Sequence, residues 1–97
     1  MLEKTIVNQI LKYLKSLPDC FSFKEHGGMY GRAGLPDIMC CYRGCFVAFE
    51  VKTAVGKLTK LQEATLRDIN DAGGCAFKVT SLLEVKVILA DLDERLV

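Results

Sequence analysis

Two carboxylates and a lysine stand at the ends of two apolar segments that flank a tight turn. The turn is Arg43-Gly44, a pair typical of a two-residue β-hairpin loop. Counting outward from it places Asp37 opposite Glu50, and directly opposed side chains in an antiparallel pair have Cβ atoms about 4.5–5.5 Å apart. Lys52 follows Glu50 by two residues, so these side chains share a face of their strand. The spacing therefore predicts that Asp37, Glu50 and Lys52 converge.

Two carboxylates beside an ammonium group suit metal-assisted hydrolysis of a phosphodiester. Mg²⁺ prefers oxygen ligands and usually takes one or two protein carboxylates together with waters and phosphate oxygens. A bound metal acidifies a water and stabilises charge on the phosphate, and Lys52 would neutralise that phosphate or orient the water. The alternative is a charged cross-strand pair on a solvated face. The apolar run 46–49 is typical of a strand covered on both faces and favours the site.

The first helix, expected over residues 2–15, carries a third carboxylate. At 100° per residue, Glu3 falls in the middle of the apolar stripe of this helix. That stripe consists of Val7, Ile10 and Leu14. A carboxylate there is natural for a helix that delivers an acid to a metal site. The alternative is a first-turn glutamate that is favoured by the helix dipole and turns outward to water.

The remaining segments predict a single α/β domain over residues 1–97. The expected elements are strands 20–24, 37–42 and 45–52, a helix over 59–72 ended by Gly73-Gly74, a strand over 75–79 and a final helix opening at Ser81. The final helix has Leu83, Val87 and Leu92 among its apolar positions. Thr59 and Gln62 have capping-box spacing, which is a structural alternative to a catalytic role for Gln62.

A loop over residues 25–34 holds half of the eight glycines in the chain. Glycine lets a backbone approach a phosphate closely, so Tyr30 and Arg32 are candidates for contact with a phosphate backbone. The alternative is an ordinary connector. The loop lacks the Gly-Lys-Ser/Thr ending of a P-loop, and His26, a lone loop histidine, is interpreted as a surface residue.

The net charge of +1 does not by itself indicate a nucleic-acid partner. The distribution of charge is more informative, because lysines follow the second hairpin strand whereas acidic residues crowd the C-terminus. This asymmetry permits a basic face around the site. The residues expected to contact a phosphodiester substrate on this face are Lys24, Arg32, Lys57 and Lys60.

The ordered set of residues resembles the VRR-NUC branch of the PD-(D/E)XK nucleases. The matching positions are Gly34-Leu35-Pro36-Asp37, Glu50-Val51-Lys52, Gln62 in the following helix and Glu3 in the opening helix. The resemblance spans essentially the whole chain, and the ordered set is far more specific than a lone Glu-x-Lys. It implies a restriction-endonuclease-like α/β core of order αβββαβ(α), a mixed sheet flanked by helices, and DNA cleavage with Mg²⁺ or Mn²⁺.

The resemblance also implies roles and partners. Asp37 and Glu50 would be metal ligands, with the Val51 carbonyl and Glu3 as further ligands, Lys52 as the electrostatic partner and Gln62 as a positioning group. Stand-alone members resemble phage or bacterial homodimers related to Holliday-junction resolvases, which favours branched DNA. The alternatives are a flap, nick or duplex nuclease, a non-cleaving DNA-binding module, and a protein–protein adaptor.

The five cysteines argue against a zinc site or a disulfide framework. Their number is odd, no Cys-x-x-Cys spacing occurs, and the adjacent Cys40 and Cys41 point to opposite faces of a strand. Buried free thiols in a reducing compartment are expected. No apolar stretch approaches the length of a membrane span and no leader pattern opens the chain, so a cytoplasmic protein is expected. The hydrophobic content of 51% is high for so small a body, which favours an oligomeric interface.

Overall fold

The computed structural model describes residues 1–26 and 31–96, so Tyr30 lies outside the described residues. The elements are α1 (Glu3–Lys15), β1 (Cys20–Lys24), β2 (Ile38–Tyr42), β3 (Cys45–Val51), α2 (Lys60–Asp71), β4 (Cys75–Val79) and α3 (Leu82–Arg95). This order confirms the predicted αβββαβ(α) arrangement. The helices start one residue later than expected because Leu2, Thr59 and Ser81 keep extended backbones as N-caps.

The four strands form one mixed sheet in the order β1-β2-β3-β4. The first three strands are antiparallel, and β4 joins β3 in parallel after the α2 crossover. Arg43 and Gly44 both have positive φ, 49° and 86°, as a type I′ hairpin turn requires. Tyr42 consequently pairs with Cys45, which confirms the predicted hairpin register.

The larger core lies between the sheet and the α1–α3 pair. It includes the fully buried Ile10, Leu14, Val47, Phe49 and Val85. On the opposite face, α2 buries a smaller cluster of Ala48, Leu66 and Ala76. Helix α2 therefore covers the β3–β4 side of the sheet, and the face that it covers also carries Glu50, since side chains alternate along β3.

Helix α3 buries a different stripe from the one that its apolar residues suggest. Val85, Leu89 and Leu92 are buried, at the i, i+4, i+7 spacing of one helix face. Leu83 and Val87 are 69% and 62% exposed. Of the three apolar positions named from the sequence, Leu92 alone enters the core.

All five cysteines are free thiols, but their burial differs from the expectation. Cys40 is buried, Cys41 is exposed and the other three are intermediate. The prediction of buried thiols is therefore wrong for Cys41, because this residue alternates onto a part of the sheet that α2 leaves open. Within residues 1–26 and 31–96, no helix is both long and apolar enough to cross a bilayer.

Candidate active site

Glu50 is a buried carboxylate at the end of a buried strand. It is 3% exposed, and its β3 neighbours Phe49 and Val51 are fully buried. Phe49 and Val51 point toward α1 and α3, so strand alternation directs Glu50 toward the N-terminal end of α2. A carboxylate in such a place requires a charged or hydrogen-bonding partner.

Asp37 supplies the first partner. The register of the hairpin, extended one pair beyond Ile38 and Phe49, places Asp37 opposite Glu50. Asp37 Oδ2 accepts the Val51 N–H at 2.8 Å, and the Asp37 carboxylate is near enough to Glu50 for its charge to raise the pKa of Glu50. The Val51 N–H thus holds the Asp37 side chain against the end of β3.

The same contact lies just past the end of the antiparallel ladder. The last pair of that ladder is Ile38 with Phe49, so Val51 lies two residues beyond it. Val51 turns its N–H toward this side of the strand, where Asp37 accepts it. The two carboxylates and the backbone of Val51 therefore lie close together at the end of β3.

The pKa of Glu50 reflects this crowding. This pKa is raised from 4.5 to about 8, first by burial and then by the nearby Asp37 carboxylate. Lys52 opposes the rise, and Glu3 adds to it. Without a cation, Glu50 therefore holds a proton at neutral pH.

Lys52 lies beside Glu50 on the same face. Lys52 Nζ is 3.8 Å from Glu50 Oε2, and the two side chains are 13% and 4% exposed. The Lys52 N–H donates to the Val79 carbonyl at 3.0 Å, which extends the parallel ladder past the end of β3. This backbone hydrogen bond fixes Lys52 at the end of β3, where its ammonium group lies beside Glu50.

Gln62 performs two tasks with one side chain. Its Oε1 accepts the Thr59 N–H at 2.9 Å, and its backbone N–H donates to Thr59 Oγ1 at 3.1 Å, completing a capping box. Its Nε2 donates to Glu50 Oε2 at 3.4 Å. The structural and site interpretations of Gln62 therefore coexist, because the helix cap aims the amide group at the carboxylate.

Similar solved structures have this architecture. One, described as a VRR_NUC domain, matches with a TM-score of 0.76 and 22% identity over 91% of this chain and 94% of its own. A second, described as a VRR_NUC domain protein, matches with a TM-score of 0.74 and 16% identity over 93% and 86%. This protein has the VRR_NUC fold. No family model and no curated protein matches the chain.

Within the VRR_NUC fold of this chain, Glu3 lies at the margin of the site. It is exposed at the start of α1. Its negative charge nevertheless adds to the raised pKa of Glu50, after burial and Asp37. Among residues 1–26 and 31–96, no three histidine, cysteine or acidic side chains converge closely enough to hold an ion. Glu3 is therefore not brought into direct contact with Asp37 and Glu50.

The four lysines and arginines expected to contact DNA do not form one surface. Lys24 pairs with Ile38 and alternates onto the α1 side of the sheet, away from the face of Glu50. Lys57 and Lys60 are exposed just before and at the start of α2, beside the site. Arg32 is exposed and lies 4.0 Å from Asp68 of α2. Lys24 thus lies on the opposite face of the sheet from Glu50, and its contact with DNA stays a prediction.

Two further charged residues share the cross-strand row of the site. Lys78 pairs with Glu50 in the parallel register, and Glu25 follows β1, where its N–H donates to the Asp37 carbonyl at 2.8 Å. Glu25 and Asp37 also line a cavity of about 250 Å³ with Arg32. The alternation Phe21, Phe23, Glu25 was a sequence signal for Glu25. The sequence contained no signal for Lys78, since the parallel register depends on the packing of α2.

Proposed function

We propose that this protein is an endonuclease that hydrolyses DNA phosphodiester bonds with a divalent metal ion held by Asp37 and Glu50. The observation that carries the proposal is the burial of Glu50 against Asp37. Two like charges at this distance repel unless a proton or a cation separates them. A structural role gives no reason to keep that unfavourable pair, whereas a metal site requires it.

The donor set fits Mg²⁺, with Mn²⁺ as a substitute. Asp37 and Glu50 would supply carboxylate oxygens, and the adjacent backbone of Val51 would supply a carbonyl oxygen. These are hard oxygen donors, and their small number leaves positions for waters and phosphate oxygens. When bound, the metal supplies an acidified water and stabilises charge developing on the phosphate.

The side chains around this pair have distinct tasks. The Val51 N–H occupies Asp37 Oδ2 and so orients the other carboxylate oxygen. Lys52, whose ammonium lies 3.8 Å from Glu50, neutralises a phosphate oxygen or orients the attacking water. Gln62 Nε2 fixes the Glu50 carboxylate from the α2 side. Glu3, at the margin, is assigned to the outer waters of the metal.

Branched DNA, such as a four-way junction, is the favoured substrate, and a homodimer is the favoured assembly. A two-fold dimer would present two equivalent sites to a two-fold junction. The apolar side chains Leu83 and Val87 line an open groove of about 300 Å³ on α3 and supply surface for such an association. The free thiols suit the reducing cytoplasm.

Cleavage assays test the proposal directly. The wild type and Asp37→Asn are incubated with a labelled four-way junction, a flap, a linear duplex and a single strand, in Mg²⁺, Mn²⁺ or EDTA. Metal-dependent, symmetric cutting of the junction by the wild type supports a resolvase. Cutting of flaps or duplex supports the nuclease and rejects the junction. DNA binding without any cutting would identify a non-cleaving module.

A further inference from the structure

Three phenylalanine rings are exposed on the sheet face that carries the two site carboxylates. Phe21 is 70% exposed, Phe23 44% and Phe46 47%. Phe21 and Phe46 lie in one cross-strand row with the exposed Cys41 between them. The rings of Phe21 and Phe23 have centroids 6.1 Å apart and are tilted by 50°. We refer to Phe21, Phe23, Cys41 and Phe46 as the aromatic surface.

The aromatic surface is open because α2 lies to one side of it. Helix α2 packs on Ala48 and Ala76 of β3 and β4 through Leu66. Strand β1 is at the opposite edge of the sheet. The side chains of β1 on this face are therefore left without a covering helix, although they are aromatic.

The aromatic surface is continuous with the candidate active site. Glu25, Asp37 and Glu50 form one cross-strand row. Along β1, Phe23 lies two residues from this row and Phe21 lies four residues from it, both on the same face of the sheet. A strand advances about 3.4 Å per residue, so these rings lie about 7 and 14 Å along the strand from that row. Stacked nucleotides of one strand are spaced about 3.4 Å apart, so the distances correspond to a few nucleotides.

The size of the aromatic surface suits a small ligand better than a second subunit. A phenylalanine side chain has about 150–250 Å² of surface, so rings exposed to this degree present on the order of 300 Å². A standard protein interface buries about 800 Å² per partner. Arg32 adds a cation on this face. Its 4.0 Å contact with Asp68 joins two well-exposed side chains, so this ion pair is weak and does little to neutralise the guanidinium group.

We propose that the aromatic surface stacks unpaired bases of the DNA strand that continues from the bond held at Asp37 and Glu50. Aromatic rings stack on any base, but a base inside a duplex is already stacked and paired. Among branched DNAs, this stacking would favour forks and flaps, which carry a single-stranded segment a few nucleotides from the cut, over the four-way junction, whose bases are all paired. This inference rests on the proposed nuclease function.

A single tryptophan makes this stacking measurable. The chain contains no tryptophan, so Phe21→Trp in an Asp37→Asn background introduces one indole whose fluorescence reports on base stacking. We expect quenching by a single strand and by a fork, and none by a blunt duplex. Gln9→Trp in the same background is the matched control, because Gln9 is exposed on α1, which packs on the opposite face of the sheet. Its fluorescence should not respond to any of the three DNAs.

Fluorescence anisotropy with labelled DNA gives the energetic test. Phe21→Ala should weaken fork binding roughly tenfold and leave duplex binding unchanged. Phe21→Tyr keeps an aromatic ring and should bind the fork as tightly as the wild type does. Equal loss for fork and duplex, or no loss for either, overturns the inference. Conversion of a dimer into monomers by Phe21→Ala also overturns it, by assigning the surface to a second copy. If the wild type cleaves DNA but the fluorescence of Phe21→Trp is not quenched, the stacking inference is rejected and the nuclease proposal stands. If the protein neither binds nor cuts DNA, both proposals are rejected.

Discussion

Gln62 Nε2 lies 3.4 Å from Glu50 Oε2 while the carbonyl of the same side chain caps α2. One residue thus links the start of a helix to the buried carboxylate. Helix capping and site geometry are coupled through this amide group, and substitutions can separate the two effects.

Gln62→Ala should impair both stability and cleavage, whereas Thr59→Ala should impair mainly stability. Each change removes part of the capping box, at a cost of about 1 kcal/mol. Gln62→Ala also removes the hydrogen bond to Glu50. Thermal melts and cleavage rates at a temperature well below both transitions check this. Equal rates for the two variants would assign Gln62 to the helix alone.

Asp37→Asn should abolish cleavage and retain the fold. An asparagine side-chain oxygen can still accept the Val51 N–H that Asp37 accepts at 2.8 Å. Asp37→Ala removes that acceptor and should cost a further 1–3 kcal/mol or so, because a part-buried donor is left unpaired. Chemical denaturation of the two variants gives the difference. Cleavage by Asp37→Asn at the full rate would reject the metal assignment.

Glu50→Gln should stabilise the metal-free protein at pH 8. The folded-state pKa of Glu50 is raised from 4.5 to about 8, so the folded protein keeps a proton that the unfolded chain releases at lower pH. The contribution of Glu50 to stability therefore falls as pH rises from about 4.5 to about 8. Glutamine cannot ionise, so in EDTA at pH 8 the Glu50→Gln variant should melt several degrees above the wild type. The two should converge near pH 5.

Added Mg²⁺ should reverse the order of the two melting temperatures at pH 8, so that the wild type melts above Glu50→Gln. A cation between the carboxylates stabilises ionised Glu50, so the wild type gains melting temperature with Mg²⁺ at pH 8. Glu50→Gln should gain little. An identical Mg²⁺ response in both proteins would show that Glu50 is not a ligand.

Lys52→Ala should lower the cleavage rate by about 10²-fold or more, since its ammonium is the cation next to the carboxylate pair. Lys15→Ala is the matched control, because Lys15 is an exposed lysine at the end of α1, on the opposite side of the sheet from Glu50. Single-turnover rates with saturating enzyme separate chemistry from binding. Cleavage by Lys52→Ala as fast as the wild type would remove Lys52 from the mechanism.

Gly34→Ala should destabilise the protein by about 1–2 kcal/mol. Gly34 has φ of +80°, and a Cβ atom there would lie 2.6 Å from Leu61 Cγ. Leu61 is half exposed, so Leu61→Ala should relieve the clash and recover part of the loss but leave the backbone strain. Denaturation of the two single variants and the double variant measures the coupling. Additive effects would show that the clash is relieved elsewhere.

The sequence by itself determined the features that depend on neighbouring residues. The Arg43-Gly44 turn sets the hairpin register, and strand alternation then brings Asp37, Glu50 and Lys52 together by counting. Caps at Thr59 and Ser81 mark where α2 and α3 begin. Each of these features follows from local geometry within a few residues.

Tertiary structure alone decided the features that depend on packing. The placement of α2 across the sheet brought Gln62 to Glu50, set Lys78 beside that carboxylate, and left Phe21 exposed. Strand parity turned Lys24 away from the site face. A parallel crossover has no turn that fixes its register, so burial of apolar side chains against the sheet sets it, and that burial involves the whole chain.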